Sequence, residues 1–381
     1  MTKKSIAMMV AAALGGLSFA SASQAGGVTY KDGDKYMKLG GRIQVQYHYQ
    51  DPDSGSSTDE LFFRRLRPFI EGSLHPHWKG KFQFDLGSAS GSNELSVKDA
   101  YIQYTGYDKF TVTLGNKGFP FSREYVTSSK FQQFVERTFV GDHNYGTPEW
   151  NLGLHLNGKQ EKLTWGVSLV EADIDPDNSK LDFDTPVNKD ADFNQGWMIG
   201  GRVDYHPFGI LKFSQGDFER SQKLAVGVAA YTWSNDDDVQ NNTSGPPPVN
   251  TDVDNVTAFE FSGAYRNTGI SIDAEYNRID AELKDGNVTG GLYKKGDTTL
   301  DQWMVKGGYM VIPSRLELVA GYQSQDADNY AETWDRYSFG VNWFVHKHDV
   351  KYQLTYRQNK NKDGVDGSDE TEIFAQAQYV F

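Results

Sequence analysis

The sequence predicts an all-β fold, a transmembrane antiparallel β-barrel of about 16 strands. Three observations carry that prediction. Period-2 alternation of apolar and polar residues runs almost from end to end, in segments of about nine to eleven residues, the length a tilted membrane-crossing strand needs. The connections are long and polar at one end of the strands and short at the other, as in barrels of bacterial outer membranes. The chain also stops on an aromatic, Phe381, closing a last amphipathic segment in which Ile373, Ala375, Ala377 and Tyr379 face one way and Glu372, Gln376 and Gln378 the other.

The first clear strand is Leu39–Tyr49, where Leu39, Ile43, Val45 and Tyr47 oppose Arg42, Gln44, Gln46 and His48. Leu66–Leu74, Trp78–Leu86 and Asp99–Tyr104 repeat the pattern. The same alternation places strands at Lys109–Asn116, Trp150–Asn157, Leu163–Val170, Met198–Tyr205, Lys223–Tyr231, Thr257–Arg266, Ile270–Asn277, Gln302–Tyr309, Leu316–Gln323, Arg336–Trp343, Val350–Arg357 and Thr371–Phe381. Strands descending to the short-turn rim end on Tyr104, Tyr205, Tyr265, Tyr309, Trp343 and Phe381, which suits an interfacial aromatic girdle. A soluble sandwich or propeller also alternates, but neither the rim asymmetry nor the terminal aromatic is expected of one.

The connections predicted to be long are Gln50–Glu60, Ser88–Glu94, Lys117–Glu149, Glu171–Gly196, Ser234–Val256, Ile279–Asp301, Ser324–Asp335 and Gln358–Glu370. Those between them are short, as at His75–His77 and Asn267–Gly269, with the exception of His206–Gln222. The stretch 117–149 is too long and too charged for a turn. It holds Lys117, Arg123, Lys130 and Arg137 with Glu124 and Glu136, interleaved with Phe119, Phe121, Phe131 and Phe134 as apolar anchors. Such a segment either folds back into a cavity or projects as a binding surface.

Residues 1–25 read as a secretory signal: Lys3 and Lys4, an apolar run from Ile6 to Leu17, then small residues up to a cleavage site after Ala25. Residues 26–381 then form one barrel domain, with 36 basic and 51 acidic side chains and a net charge of −15. Zero cysteines exclude a disulfide framework, a thiol nucleophile and a thiolate metal site. Aromatics reach 14% while apolar residues total only 38%, which fits a wall that buries alternate side chains. No catalytic constellation is present: G-x-S-x-G, the phosphate-cradling glycine loop and H-E-x-x-H are all absent. An enzyme is therefore disfavoured, and no nucleic-acid partner is expected.

Several blocks in order carry a resemblance to a known family: KLGGRIQVQY from Lys38, FRRLRPFIEGSL from Phe63, WKGKFQFDLG from Trp78, VKDAYIQY from Val97, PFSREYVTSS followed by FVER from Pro120 to Arg137, and GRVDYHPF from Gly201. The chain resembles the phosphate-selective porin O and P family of Gram-negative outer membranes. That resemblance implies a passive channel for small hydrophilic solutes, anions such as phosphate among them. It further implies a homotrimer with outer-membrane lipid and lipopolysaccharide around it, and an inward-folded third long loop at the position of 117–149. Lys117, Arg123, Glu124, Lys130, Glu136 and Arg137 would then line the constriction, with Lys117 and Lys130 as its free charges because neither has an acidic sequence neighbour.

The inward register supplies further basic residues for the pore lining: Arg42, Arg65, Arg67, Lys79, Lys81, Arg202, Arg266, Lys306, Arg336, Lys351 and Arg357. Acids share that register, at Glu71, Asp85, Asp99, Asp204, Glu260, Asp273, Glu275, Glu317 and Glu372, so the sum along the wall is nearly balanced. Tyr379 and Phe381 form the expected assembly signal. No cofactor is expected. His75 with His77 and His346 with His348 have metal-pair spacing but fall in short turns, where a solvated turn is the expectation. Acidic loops at Asp236, Asp237, Asp238, Asp252 and Asp254, and at Asp363, Asp366, Asp369 and Glu370, could hold Ca²⁺ or Mg²⁺, with a solvated, self-repelling loop as the simpler reading. The remaining alternatives are a sheath for a partner such as an electron-carrying cytochrome, and a non-selective or cation-preferring channel.

Overall fold

The computed structural model describes residues 27–87, 95–174, 177–184, 194–236, 243–244 and 249–381. The proposed signal segment, Asp237 and Asp238 lie outside them. Sixteen antiparallel strands close into a barrel. They are β1 Lys35–Pro52, β2 Thr58–His75, β3 Trp78–Asp85, β4 Ser96–Tyr104, β5 Phe110–Gly118, β6 Trp150–Gln160, β7 Leu163–Ile174 and β8 Asn194–Tyr205. The circuit continues with β9 Lys223–Asn235, β10 Val253–Asn267, β11 Ile270–Leu283, β12 Asp297–Ile312, β13 Leu316–Asp326, β14 Trp334–His346, β15 Val350–Lys360 and β16 Glu370–Val380. Each strand pairs with its sequence neighbours, and β1 pairs with β16 from Arg42 opposite Val380 to Pro52 opposite Glu370. A short additional strand, Val28–Asp32, runs back along the start of β1.

The alternation read from the sequence is the alternation of the wall. On β12, Trp303, Val305 and Tyr309 are exposed to the outside, while Gln302, Met304 and Lys306 are buried within. Apolar side chains outward and polar side chains inward is the inverse of a soluble barrel, and it suits a wall whose solvent on the outside is lipid. The strands of the first hairpin run further than their alternation indicates. β1 and β2 are 18 residues each and stay paired up to Gln50 opposite Thr58, so most of the expected long loop Gln50–Glu60 is strand.

Two irregularities on this side of the wall matter later. Gln44 pairs with Arg65 and Val45 with Phe63, which leaves Arg64 as the extra residue of a bulge. Phe82 pairs with Ala100 and Phe84 with Val97, so Lys98 and Asp99 together face Gln83. A bulge adds one residue to one strand and re-aims its side chain. Arg64 and Lys98 therefore turn toward the lumen although simple alternation assigns them outward.

The chain end completes the closure. The Gly41 and Phe381 backbones exchange hydrogen bonds of 2.8 and 3.0 Å, and the Tyr379 and Phe381 rings stack at 5.8 Å on the outer face. An open seam would leave backbone donors and acceptors unpaired in hydrocarbon. Deleting Phe381 should therefore lower the yield of heat-modifiable, assembled barrel in membranes by more than the ~2–4 kcal/mol typical of a charge placed on the lipid face. Unchanged surface levels of the deletion variant would remove Phe381 from assembly.

Candidate functional site

The segment between β5 and β6 folds into the barrel and fills one side of it. It begins at Phe119, because Lys117 is the penultimate residue of β5 and so belongs to the wall, a correction to its assignment to the loop. Phe119 and Phe121 are fully buried, and Phe119, Phe139 and Tyr145 join an apolar cluster with inward residues of the upper wall such as Tyr231, Trp233 and Trp334. Ser122 caps a single helical turn, α1 (Arg123–Val126), by accepting a hydrogen bond from the Tyr125 amide at 3.0 Å. Phe134 reaches the far wall at Gly321, where a Cβ would come within 2.9 Å of its ring.

The β9–β15 wall holds this loop with matched polar groups. The Lys306 ammonium pairs with Glu124, both about 1% exposed. Lys351 donates to the Gln132 carbonyl at 2.8 Å. The Gln133 carbonyl accepts from Asn342 and Gln353, each at 2.9 Å, and its side-chain amide donates to Ser271 and Glu317, each at 2.7 Å. Gln323 accepts from the Phe139 amide, and Asn277 and Gln302 donate to the Val140 and Tyr145 carbonyls. A loop buried in a barrel needs a partner for every backbone polar group, and inward Asn and Gln supply them. That role could have been read from their inward register.

The long link His206–Gln222 enters from the opposite rim and meets the loop. The Gln215 amide donates to the Phe131 carbonyl at 3.1 Å, and its side-chain oxygen accepts from the Gln133 amide at 2.7 Å. His348 bonds the Gln215 carbonyl at 2.9 Å and packs against Phe131, Phe218 and Phe344. His348 is 5% exposed, so it is neither a solvated turn residue nor half of a metal pair with His346. His75 and His77 are exposed. Among the described residues no group of three or more potential metal-binding side chains occurs. Asp369, Glu370 and Glu372 pair instead with Lys360, Lys362 and Arg357.

This arrangement corrects nearly half of the expected pore lining. Lys306, Lys351, Arg336, Arg357 and Arg266 are buried among loop and wall partners and do not face an open lumen, while Arg202, equally buried, borders the open space. Arg336 donates to Asn359 at 2.8 Å and lies over Phe139 at 4.0 Å. Arg357 reaches the Arg137 carbonyl at 3.3 Å. Arg266 pairs with Asp273 at 2.8 Å and Arg202 with Glu260 at 2.8 Å, while Arg202 also donates to the Phe121 carbonyl. Glu124 follows Arg123 and Glu136 precedes Arg137 in the sequence, but none of these neighbours pair with each other; their partners lie elsewhere. Arg123 bonds Asp204 at 3.3 Å, Arg64 grips Glu136 at 2.7 and 3.1 Å, and Arg137 stands 3.5 Å from Glu149. Arg123, Glu124 and Glu136 thus find partners on the wall, and Arg137 finds Glu149 of its own segment.

The open space lies against β1–β8. A cavity of about 610 Å³ runs from Lys38, Gly41 and Val380 at the short-turn rim up to Tyr125, Arg137 and Trp150. Its basic lining is Lys38, Arg42, Arg67, Lys81, Lys117, Lys130, Arg137 and Arg202, against Glu71, Asp99 and Asp204, an excess of five (8 − 3). Arg67 and Lys81 have acidic partners at 2.5 Å in Asp85 and Asp99. Among the described residues Arg42, Lys117 and Lys130 have no carboxylate within ion-pair distance. Arg42 approaches the Ser128 hydroxyl at 3.4 Å, Lys117 bonds Asn157, and Lys130 lies 4.8 Å over Phe131. Lys79 is half-buried on β3 outside the cavity, and Arg65 donates to Gln44 at 3.2 Å above it. Arg64, Lys98 and Glu149 join the site from outside the expected set, with Lys98 3.7 Å from Glu149 and 4.7 Å over Trp150.

Sequence comparison decides the family: the model of phosphate-selective porin O and P matches residues 37–381. The chain belongs to that family. Porin O of Pseudomonas aeruginosa is 25% identical, over 93% of this chain and 90% of its own. An uncharacterised protein of Aquifex aeolicus is 24% identical over 91% of this chain and 86% of its own. Among solved structures, an anion-selective porin from Comamonas acidovorans shares the fold with a TM-score of 0.60 at 13% identity, covering 91% of this chain and all of that one. The outer membrane channel DcaP of Acinetobacter baumannii does so with a TM-score of 0.57 at 12% identity, over 93% and 99%. This porin is a channel of the bacterial outer membrane. The long-loop rim is then extracellular and the short-turn rim periplasmic.

Two predictions follow from the way the loop is held. Removing one partner of a buried ion pair typically costs about 3–5 kcal/mol, whereas an apolar pair of similar volume is often neutral. Lys306→Met and Glu124→Leu should each lower the melting temperature and raise single-channel conductance, and the double variant should be milder than the sum of the two. Strict additivity in that cycle would show that the pair does not hold the loop.

The second prediction concerns acid. Burial pushes the Glu136 carboxyl up, but Arg64 and Arg65 outweigh it and hold the pKa at about 2. His143, Lys98 and Arg137 do the same for Glu149, also at about 2. Both values lie below the ordinary 4.5, so this stabilisation is present above about pH 4.5 and is lost as pH falls toward about 2. Conductance should stay flat from pH 8 to about pH 5 and change only in stronger acid. A step between pH 5 and 7 would contradict the assignment.

Proposed function

We propose that this porin passes small anions, inorganic phosphate among them, down the β1–β8 side of its lumen. The observation that carries the reading is the basic excess of the open cavity, with Arg42, Lys117 and Lys130 free of carboxylate partners among the described residues. Cations in a narrow path with low-dielectric walls focus their field on passing solutes. Guanidinium groups add donors that match phosphate oxygens. Four of the nine acids of the inward register are withdrawn from the path: Glu260, Asp273, Glu275 and Glu317 are buried on the loop-filled side. The constriction in this reading runs past Arg67, Arg137, Tyr125 and Trp150, with Lys117 and Lys130 just below it.

The functional unit is proposed to be a homotrimer in lipid and lipopolysaccharide, exported by removal of residues 1–25. An OmpT structure of Vibrio cholerae, with a TM-score of 0.59 to this chain at 13% identity over 91% and 99% of the two chains, is described as a trimer form. A sheath for a folded partner needs an open lumen, and here the loop occupies much of it.

Reversal potentials in a KCl gradient across a planar bilayer test the reading. The parent should prefer anions. Lys117→Glu with Lys130→Glu should move it toward cations, and more strongly at 0.01 M than at 0.1 M salt, because the Debye length is about 30 Å against about 10 Å. Burial, then the charge of Arg42, lowers the Lys130 ammonium below the ordinary lysine range, so rising pH should weaken anion preference earlier than an exposed lysine would. A double variant with the parent's selectivity at low salt would transfer the filter to Arg42, Arg65 and Arg67.

A further inference from the structure

The same cavity has an apolar side that a small inorganic ion does not use. Phe69 of β2, Tyr101 of β4, Trp150 of β6, Tyr125 of the inward loop and Phe213 of the periplasmic link are five of the six aromatics that line it, and each comes from a separate element. Four of these rings stand beside the protein's own cations, so that charge and ring surface alternate around the cavity: Phe69 has Lys81 at 5.6 Å and Lys38 at 5.8 Å, and Phe213 has Arg123 at 5.1 Å and Arg202 at 5.9 Å. Trp150 has Arg67 at 5.1 Å and Lys98 at 4.7 Å, and Tyr125 is buried beneath Arg137 at 5.1 Å. Phe69, Tyr101 and Phe213 are only half-buried. Gly40, opposite Phe69 on β1, lets one edge of that ring lie directly on the β1 backbone, since a Cβ there would come within 2.7 Å of it.

Resting on the anion reading above, we propose that this cavity takes organic anions that carry an aromatic ring, the carboxylate held by the cations and the ring laid on Phe69, Tyr101 and Phe213. A hydrated inorganic ion gains nothing from an apolar wall and loses water beside it. An aromatic carboxylate removes apolar area from water there and adds ring-to-ring contact. A volume of about 610 Å³ accommodates such a solute and lies in the range of sites that bind small organic molecules, about 300–1,000 Å³. Arg42, Lys117 and Lys130 stand in the same cavity without carboxylate partners among the described residues, so the head group meets charge while the body meets rings.

Benzoate and acetate share a carboxylate and differ in the ring, so their comparison isolates the ring's contribution. With the assembled porin in planar bilayers in KCl, sodium benzoate, sodium acetate or inorganic phosphate is added to one side and the reduction of chloride current is titrated. Benzoate should half-block at a concentration about tenfold below acetate, the order expected for seating one ring on apolar surface. Phe213→Ala and Phe69→Leu should each narrow that ratio to about threefold. The ratio is internal to each variant and so does not depend on its conductance. Equal half-blocking concentrations for benzoate and acetate in the parent overturn the proposal, as does an unchanged ratio in both variants. Failure of the anion reading would register separately, as cation preference in the KCl reversal potential before any organic anion is added.

Discussion

The structure depends first on closure of the sheet. A wall in hydrocarbon has no water to satisfy an unpaired amide, so the last strand must find the first, and β16 does so along β1 from Val380 to Glu370. The final residue completes the seam through the Gly41 backbone. Closure also forces the periodicity of the whole chain. Once both edges are consumed, every strand has one face toward lipid and one toward the lumen, and the sequence must alternate to serve both.

A closed polar interior creates a second requirement, which the inward loop meets. Inward Asn, Gln, Lys and Glu side chains on β9–β15 would face water in an empty barrel. Here they bond loop backbone, as Asn342 and Gln353 do at the Gln133 carbonyl. The loop in turn gains partners for backbone groups that a lumen without matching side chains would leave bare. The periplasmic link supports the same tip through Gln215, so the filled side is built from three directions. Retracting the loop would mean breaking these bonds together, including the buried Lys306–Glu124 pair.

Filling one side sorts the charges. Summed over the inward register the wall is nearly neutral, yet burial on the loop-filled side removes Glu260, Asp273, Glu275 and Glu317, and an excess of five basic residues lines the remaining cavity. Permeation then takes place in a field set by which charges were left unpaired and not by composition. A chain of net charge −13 can thereby offer a basic path.

The sequence by itself determined the barrel, its strand direction, the rim asymmetry and the loop that matters, because these rest on period-2 alternation, connection length and local chemistry, all of which are contiguous in the chain. Arg42, Arg67, Lys81 and Lys130, assigned to the inner side by register and loop position, line the cavity. The sequence could not reveal that Arg64 and Lys98 face inward, because a bulge shifts the register by one residue and is set by pairing with the neighbouring strand. Nor could it separate Lys306 and Lys351 from Lys117, since all three sit on the inward face and differ only in whether the loop covers them. Only the tertiary structure decided that, because a salt bridge such as Lys306–Glu124 joins residues 182 positions apart and no local pattern encodes the partner.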